Sequence, residues 1–125
     1  MSNKEIKKII IVDDEVDICY LIKSILKRKF AAKIDICNSV EEALDKLKVA
    51  QYDLAFFDMR LNDGTGEELI SQVHEEGEPK PYIAVISAYT SPSDMSHLND
   101  LKIDEFIPKP LSSEKIINCY LAATA

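Results

Sequence analysis

Ile9-Ile10-Ile11-Val12-Asp13-Asp14-Glu15 sets four consecutive apolar, β-branched residues directly before three carboxylates. Four residues are too few for a useful helix, and β-branched side chains suit a pleated strand, so the run reads as a strand. It is apolar at every position rather than every second one, so both of its faces must be covered. Strands of that kind belong to parallel sheets with helices on each side. Short apolar runs recur at 34–37, 54–57, 83–86 and around Phe106-Ile107, several of them continuously apolar, which predicts five strands.

Between the strands lie patterns of helical period. Ile18, Leu21, Ile22 and Ile25 make one apolar stripe; Val40, Ala43, Leu44 and Leu47 a second; Leu69, Ile70 and Val73 a third. Ser39 and Glu42 have the spacing of a capping box, and Gly77 followed by Pro79 and Pro81 stops the third helix. A last stripe, Ile116, Ile117, Tyr120 and Leu121, follows Ser112 and Ser113. In the Ser-, Asp- and Asn-rich stretch 90–104, Ser91-Pro92 with Met95 and Leu98 predicts a weak fourth helix. Strict alternation of strand and helix predicts an α/β fold: one doubly wound, five-stranded parallel sheet flanked by five helices. With no linker or repeat, residues 1–125 are expected to form one domain.

Composition narrows the function. The 125 residues are 46% hydrophobic, enough for one core, and carry a formal charge of -7 with a pI near 4.8. That charge opposes neutralisation of a polyanion, so direct nucleic-acid binding is not expected. Cys19, Cys37 and Cys119 are odd in number, far apart and set in apolar stretches, which fits reduced buried thiols. The N-terminal region has neither a signal h-region nor a membrane span, and a cytoplasmic location is expected. Lys27-Arg28-Lys29 reads as a solvated helix end and Glu67-Glu68 as a helix start.

In sheets of this kind ligands bind beyond the carboxyl ends of the strands. Polar groups follow four of the five apolar runs: Asp13-Asp14, Asp58, Ser87 and Lys109. Singly, each has a bland role: Asp13 or Asp14 caps a helix, Ser87 bonds to backbone, Lys109 is solvated. Together they are more specific, because three carboxylates at one edge repel one another unless a cation lies among them. Magnesium takes oxygen ligands and commonly shares them with a phosphate. Phosphoryl transfer needs a metal, a fixed cation and a hydrogen-bond donor around the moving group; the ion, Lys109 and Ser87 match those needs. Asp58, alone at a central strand's exit, is the candidate nucleophile, and the adjacent Asp13 and Asp14 suit the metal.

Ile10-Ile11-Val12-Asp13-Asp14-Glu15, Phe57-Asp58-Met59-Arg60, Ser87-Ala88 and Phe106-Ile107-Pro108-Lys109-Pro110 resemble the signature of the response-regulator receiver domain of two-component signalling. The likeness spans nearly the whole chain and includes the spacing between motifs. It implies a flavodoxin-like sheet of order 2-1-3-4-5. It implies Asp58 as phosphoacceptor, Asp14 and the Arg60 carbonyl as direct magnesium ligands, Asp13 acting through water, and Lys109 on the phosphoryl group. Ser87 would move to bond that group and Phe106 would swing inward, altering the face made by the fourth helix, fifth strand and fifth helix. Implied partners are a histidine kinase or histidine phosphotransfer protein, a downstream protein or output domain, and a second copy through that face. The resemblance also implies a cis Lys109-Pro110 bond and a domain that is not a turnover enzyme.

Some positions depart from the family's usual pattern. Asn62-Asp63-Gly64-Thr65-Gly66 stands where many members carry Pro first, which predicts a looser loop. Pro108 requires the fifth strand to lie at an edge. Phe106 lacks the hydroxyl of the commoner Tyr. Arg60 and Tyr89 flank the site and are expected to hinder the water that would remove the phosphoryl group. A haloacid-dehalogenase-type phosphatase would need a second Asp at the position of Arg60; a module that only binds a partner would be expected to lack one of the acids or Lys109.

Overall fold

The computed structural model describes residues 4–88 and 100–125. The chain runs β1 (Lys8–Val12), α1 (Val16–Lys29), β2 (Lys33–Cys37), α2 (Val40–Val49), β3 (Leu54–Asp58), β4 (Arg60–Leu61), β5 (Gly64–Thr65), α3 (Gly66–Glu76), β6 (Tyr82–Ser87), β7 (Glu105–Pro108) and α4 (Ser113–Thr124). Five strands form one parallel sheet in the order β2-β1-β3-β6-β7. This is the expected 2-1-3-4-5 order once the short β4-β5 hairpin is set aside. The hairpin was not expected: Arg60 pairs with Thr65 and Leu61 with Gly64, antiparallel. It spans the segment for which Asn62 predicted a looser loop.

The sheet is dry on both faces because adjacent strand residues point to opposite sides. Ile9, Ile11, Leu54, Phe56, Ala84 and Ile86 pack with α1 and α4; Ile10, Val12, Ala55, Phe57, Ile83 and Val85 pack with α2 and α3. The central strand β3 is buried at all five positions, which is why its sequence does not alternate.

The helices start and stop largely where the sequence placed them. Ser39 accepts the Glu42 N–H at 3.1 Å, Ser112 accepts that of Lys115 at 3.2 Å, and Gly77 ends α3 at φ 77°, where a side chain would be strained. Thr65 and Glu68 form a capping box at the start of α3. Lys27, Arg28 and Lys29 fill the last turn of α1, and Lys27 Nζ donates to the Ala32 carbonyl at 2.6 Å. Two stripes differ in detail. In α1 the buried face is Cys19, Ile22, Ile25 and Leu26, with Leu21 exposed; in α4 it is Ile116, Cys119, Tyr120 and Ala123, with Leu121 exposed.

Four helices stand among the described residues. The expected helix in 90–104 lies mostly outside them, and residues 100–104 are not helical. Pro108 sits on β7, whose sheet partner is β6, at the edge where a missing N–H costs nothing. Lys109-Pro110 is cis, as is Glu78-Pro79. Cys19, Cys37 and Cys119 are buried and unpaired; burial pushes the Cys19 thiol up to about 12 and the Cys37 thiol up to about 11. No helix among the described residues is long and apolar enough to cross a membrane.

Candidate functional site at the carboxyl edge of the sheet

Strand register gathers the polar residues. Val12 pairs with Phe57, so Asp13 and Asp58 leave neighbouring strands together; Asp58 pairs with Ile86 and Ser87 with Pro108, so Ser87 and Lys109 follow on the same edge. Asp13, Asp58 and Ser87 are the buried polar or charged residues among those described, and they meet at this one place. A buried carboxylate is expensive unless paired, so their convergence marks this edge as the candidate site.

The geometry is compact. Lys109 Nζ lies 3.1 Å from Asp13 Oδ2, 3.5 Å from Asp58 Oδ2 and 4.0 Å from Glu15 Oε2. Carboxylate oxygens of Asp13, Asp14 and Asp58 all fall within 4.8 Å of one another. Asp13 Oδ1 accepts the Glu15 N–H at 2.9 Å, whereas Oδ2 takes no hydrogen bond and faces the ammonium group alone. Asp58 Oδ1 accepts the Arg60 N–H at 3.3 Å. An open pocket of roughly 280 Å³ lies above, lined by Asp14, Glu15, Asp58, Arg60, Ser87, Ala88 and Lys109.

Two of the bland roles do not survive this arrangement. The N-cap of α1 is Glu15, so neither Asp13 nor Asp14 caps it. The Lys109 side chain is 16% exposed and is not a solvated surface group. Burial and the neighbouring Asp13 charge push the Asp58 carboxyl up to about 6, against the opposing pull of Lys109. Burial alone would lower the Lys109 ammonium, but Asp13, Asp58 and Glu15 outweigh it and hold its pKa above the usual lysine value. Lys109 and Arg60 against Asp13, Asp14, Asp58 and Glu15 leave the site short of positive charge. A small set of hard oxygen donors, the carboxylates of Asp13, Asp14 and Asp58 within 4.8 Å of one another, fits a divalent ion of the magnesium type.

The backbone beneath Asp58 is held by Gly66. A Cβ there would come 2.5 Å from the Asp58 carbonyl oxygen, a contact no side chain tolerates. Phe106 is half-buried, packs with the cluster containing Val85, and stands opposite Val85 in the ladder, two pairs short of Ser87 and Pro108. Tyr89 lies outside the described residues, whereas Arg60 lines the pocket.

Sequence reasoning missed three supports of this site: Asn38, Asp63 and Gly66. Asn38 directly follows the second apolar run, so the rule of reading strand exits would have found it. Asp63 accepts the N–H groups of Val40 at 2.8 Å and Glu41 at 3.1 Å, tying the β4-β5 hairpin to the start of α2. No local spacing announces a cap supplied from twenty residues away.

The response regulator receiver domain model matches residues 9–120, and the chain belongs to that family. Among curated relatives, the response regulator protein PilR of Pseudomonas aeruginosa is 33% identical over 121 residues, covering 95% of this chain and 26% of that protein. The sensory transduction protein LytT of Bacillus cereus is 31% identical over 113 residues, covering 88% of this chain and 44% of that protein. The chain thus spans less than half the length of either relative. A solved CheY-like response regulator receiver domain protein from Methanospirillum hungatei superposes with a TM-score of 0.83 at 26% identity, covering 94% of this chain and 93% of that one. Domains of this family serve two-component signalling and are not turnover enzymes in the ordinary sense.

Proposed function

We propose that this chain accepts a phosphoryl group on Asp58 from a phosphohistidine, with a magnesium ion in the acidic pocket, and that the modification alters its partner-binding face. The observation that carries the reading is Asp58 itself: buried at the end of the central strand, 3.5 Å from an ammonium group and clustered with Asp13 and Asp14. In the transfer an Asp58 carboxylate oxygen forms a bond to phosphorus while the phosphorus–nitrogen bond to the donor imidazole breaks, and the imidazole takes up a proton. Lys109 holds a phosphoryl oxygen by its ammonium group, and the Ser87 hydroxyl donates to another. Asp14, Asp58 and the Arg60 carbonyl would hold magnesium directly, and Asp13 through water. When bound, the ion supplies charge that offsets the three carboxylates and the phosphoryl oxygens.

Ser87 and Phe106 lie on adjacent strands, so a Ser87 hydroxyl drawn toward a phosphoryl group vacates space beside Phe106. Its inward rotation changes the surface formed by β7, α4 and the segment before β7. Residues 1–125 act in this reading as one receiver unit. A histidine kinase or phosphotransfer protein supplies the group, and a downstream protein, output domain or second copy reads that surface. The location is cytoplasmic. Arg60 at the pocket mouth, with Tyr89, slows attack by water; phosphoryl lifetime in variants with small residues at both positions tests this.

The decisive experiment incubates the chain with acetyl phosphate and magnesium and measures intact mass. An acid-stable, base-labile adduct on wild type and none on Asp58→Asn is expected. Binding to a partner without any adduct would instead leave a passive module, and sustained turnover of phosphoesters would indicate a phosphatase.

A further inference from the structure

Asn38 stands at the one strand exit whose polar side chain does not enter the acidic pocket. Its carboxamide nitrogen donates to the main-chain carbonyl of Asp13 at 3.0 Å and lies 3.7 Å from the Cys19 sulfur. The Cys19 thiol donates to the same carbonyl at 3.3 Å. Two side chains therefore converge on the peptide that joins Asp13 to Asp14. In the flanking peptides, Asp13 continues the ladder by donating its N–H to the Cys37 carbonyl at 3.1 Å, and the Asp13 Oδ1 accepts the Glu15 N–H. The peptide plane between the two acids is thus held at its carbonyl oxygen by two donors, while the Asp13 and Glu15 N–H groups fix the peptides before and after it. Because that plane sets the direction of the Asp14 Cα–Cβ bond, tilting it would carry the Asp14 carboxylate away from Asp13 and Asp58.

Asn38 is itself held. Its N–H donates to Glu42 Oε1 at 3.2 Å, Ser39 caps Glu42, and the Asp63 carboxylate takes the next two N–H groups, of Val40 and Glu41. Asp63 belongs to the hairpin that begins two residues after Asp58. One continuous chain of hydrogen bonds consequently runs from the hairpin after the acceptor, through the start of α2, to the backbone of the acidic pair.

We propose that Asn38 is a positioning residue for the acidic pair: its carboxamide, with the Cys19 thiol, fixes the Asp13-Asp14 peptide so that the Asp14 carboxylate stands within ligand reach of Asp13 and Asp58. The inference rests on reading the pocket as a metal-assisted phosphoacceptor site. Groups that orient ligands from outside commonly change metal affinity by 10- to 100-fold. Asn38 acts through the main chain rather than on a ligand oxygen, and the weaker Cys19 donor remains, so the effect belongs at the low end, roughly tenfold.

The test measures Mn2+ affinity by electron paramagnetic resonance of the free ion on the full chain, together with urea unfolding followed by circular dichroism in chelator. Wild type is compared with Asn38→Leu, which keeps the volume and removes the donor, and with Asn38→Ala; Asp14→Asn serves as the reference for loss of a ligand. Both Asn38 variants are expected to bind Mn2+ roughly tenfold more weakly than wild type while remaining folded. If Asn38→Leu does not fold, Asn38→Ser, too short to span the gap to the Asp13 carbonyl, carries the same expectation. Folded Asn38 variants with wild-type Mn2+ affinity, whatever their unfolding midpoints, would overturn the positioning role and leave the site reading intact. Absence of Mn2+ binding by wild type would overturn the site reading first.

Discussion

At the residue scale the proposed function places two opposing demands on Asp58: it must be sheltered to react, and shelter disfavours its charge. Its carboxyl is raised by burial and by Asp13 from 3.8 to about 6, so the native metal-free chain binds its proton more tightly than the unfolded chain. A raised pKa contributes stability below the unfolded value and loses it as pH climbs through the folded one. Ionised Asp58 therefore weakens the metal-free fold above pH 6. Asp58→Asn is expected to stabilise the protein in chelator at pH 7.5 by about 2 kcal/mol, with the gain vanishing near pH 4; urea midpoints across that range check it. A gain that persists unchanged at pH 4 would place its cause elsewhere. Lys109→Met should act in the opposite sense at pH 7.5, lowering the midpoint, because Asp13 Oδ2 and Asp58 Oδ2 then lose their ammonium partner.

At the scale of elements, the short hairpin and the start of α2 behave as one joint. Asp63 is held below the usual carboxylate range by the Val40 and Glu41 N–H groups. Its contribution to stability is present above its unfolded pKa and fades as pH falls through the lower, folded one. Asp63→Ala is expected to lower the urea midpoint at pH 7, and faster amide exchange at Val40 and Glu41 is the specific readout. Unchanged exchange at those two amides would show that the cap carries no load. Gly66→Ala acts at the junction of β5 and α3. Its new methyl group would lie 2.5 Å from the Asp58 carbonyl, so one of the two backbones must shift. A loss of about 1–3 kcal/mol is expected, together with weaker Mn2+ binding, since Asp58 rides on the displaced segment.

For the whole molecule, the sheet divides one interior into two. Phe56 and Phe57 are adjacent and both fully buried, yet they fill opposite layers. Phe56→Ala and Phe57→Ala are each expected to cost about 3–5 kcal/mol by urea unfolding, a large share of the stability of a domain this size. Val49→Ala, at a position 81% exposed, should change it by less than about 0.5 kcal/mol. A large effect at Val49, or a small one at either phenylalanine, would contradict the two-layer interior.

The apolar runs, the capping Ser39 and Ser112, and the breaker Gly77 were legible in the sequence because each acts through near neighbours, and a strand covered on both sides must be apolar throughout. For the same reason the residues at four strand exits could be named before any geometry. Tertiary structure alone decided the edges of the inward faces of α1 and α4, where Cys19, Cys119 and Ala123 are buried and Leu21 and Leu121 exposed. It alone placed Asp63 on α2, Gly66 under Asp58 and Asn38 on the acidic pair. Those partners lie far apart along the chain or act through main-chain atoms, and neither kind of contact leaves a periodic trace in the order of residues.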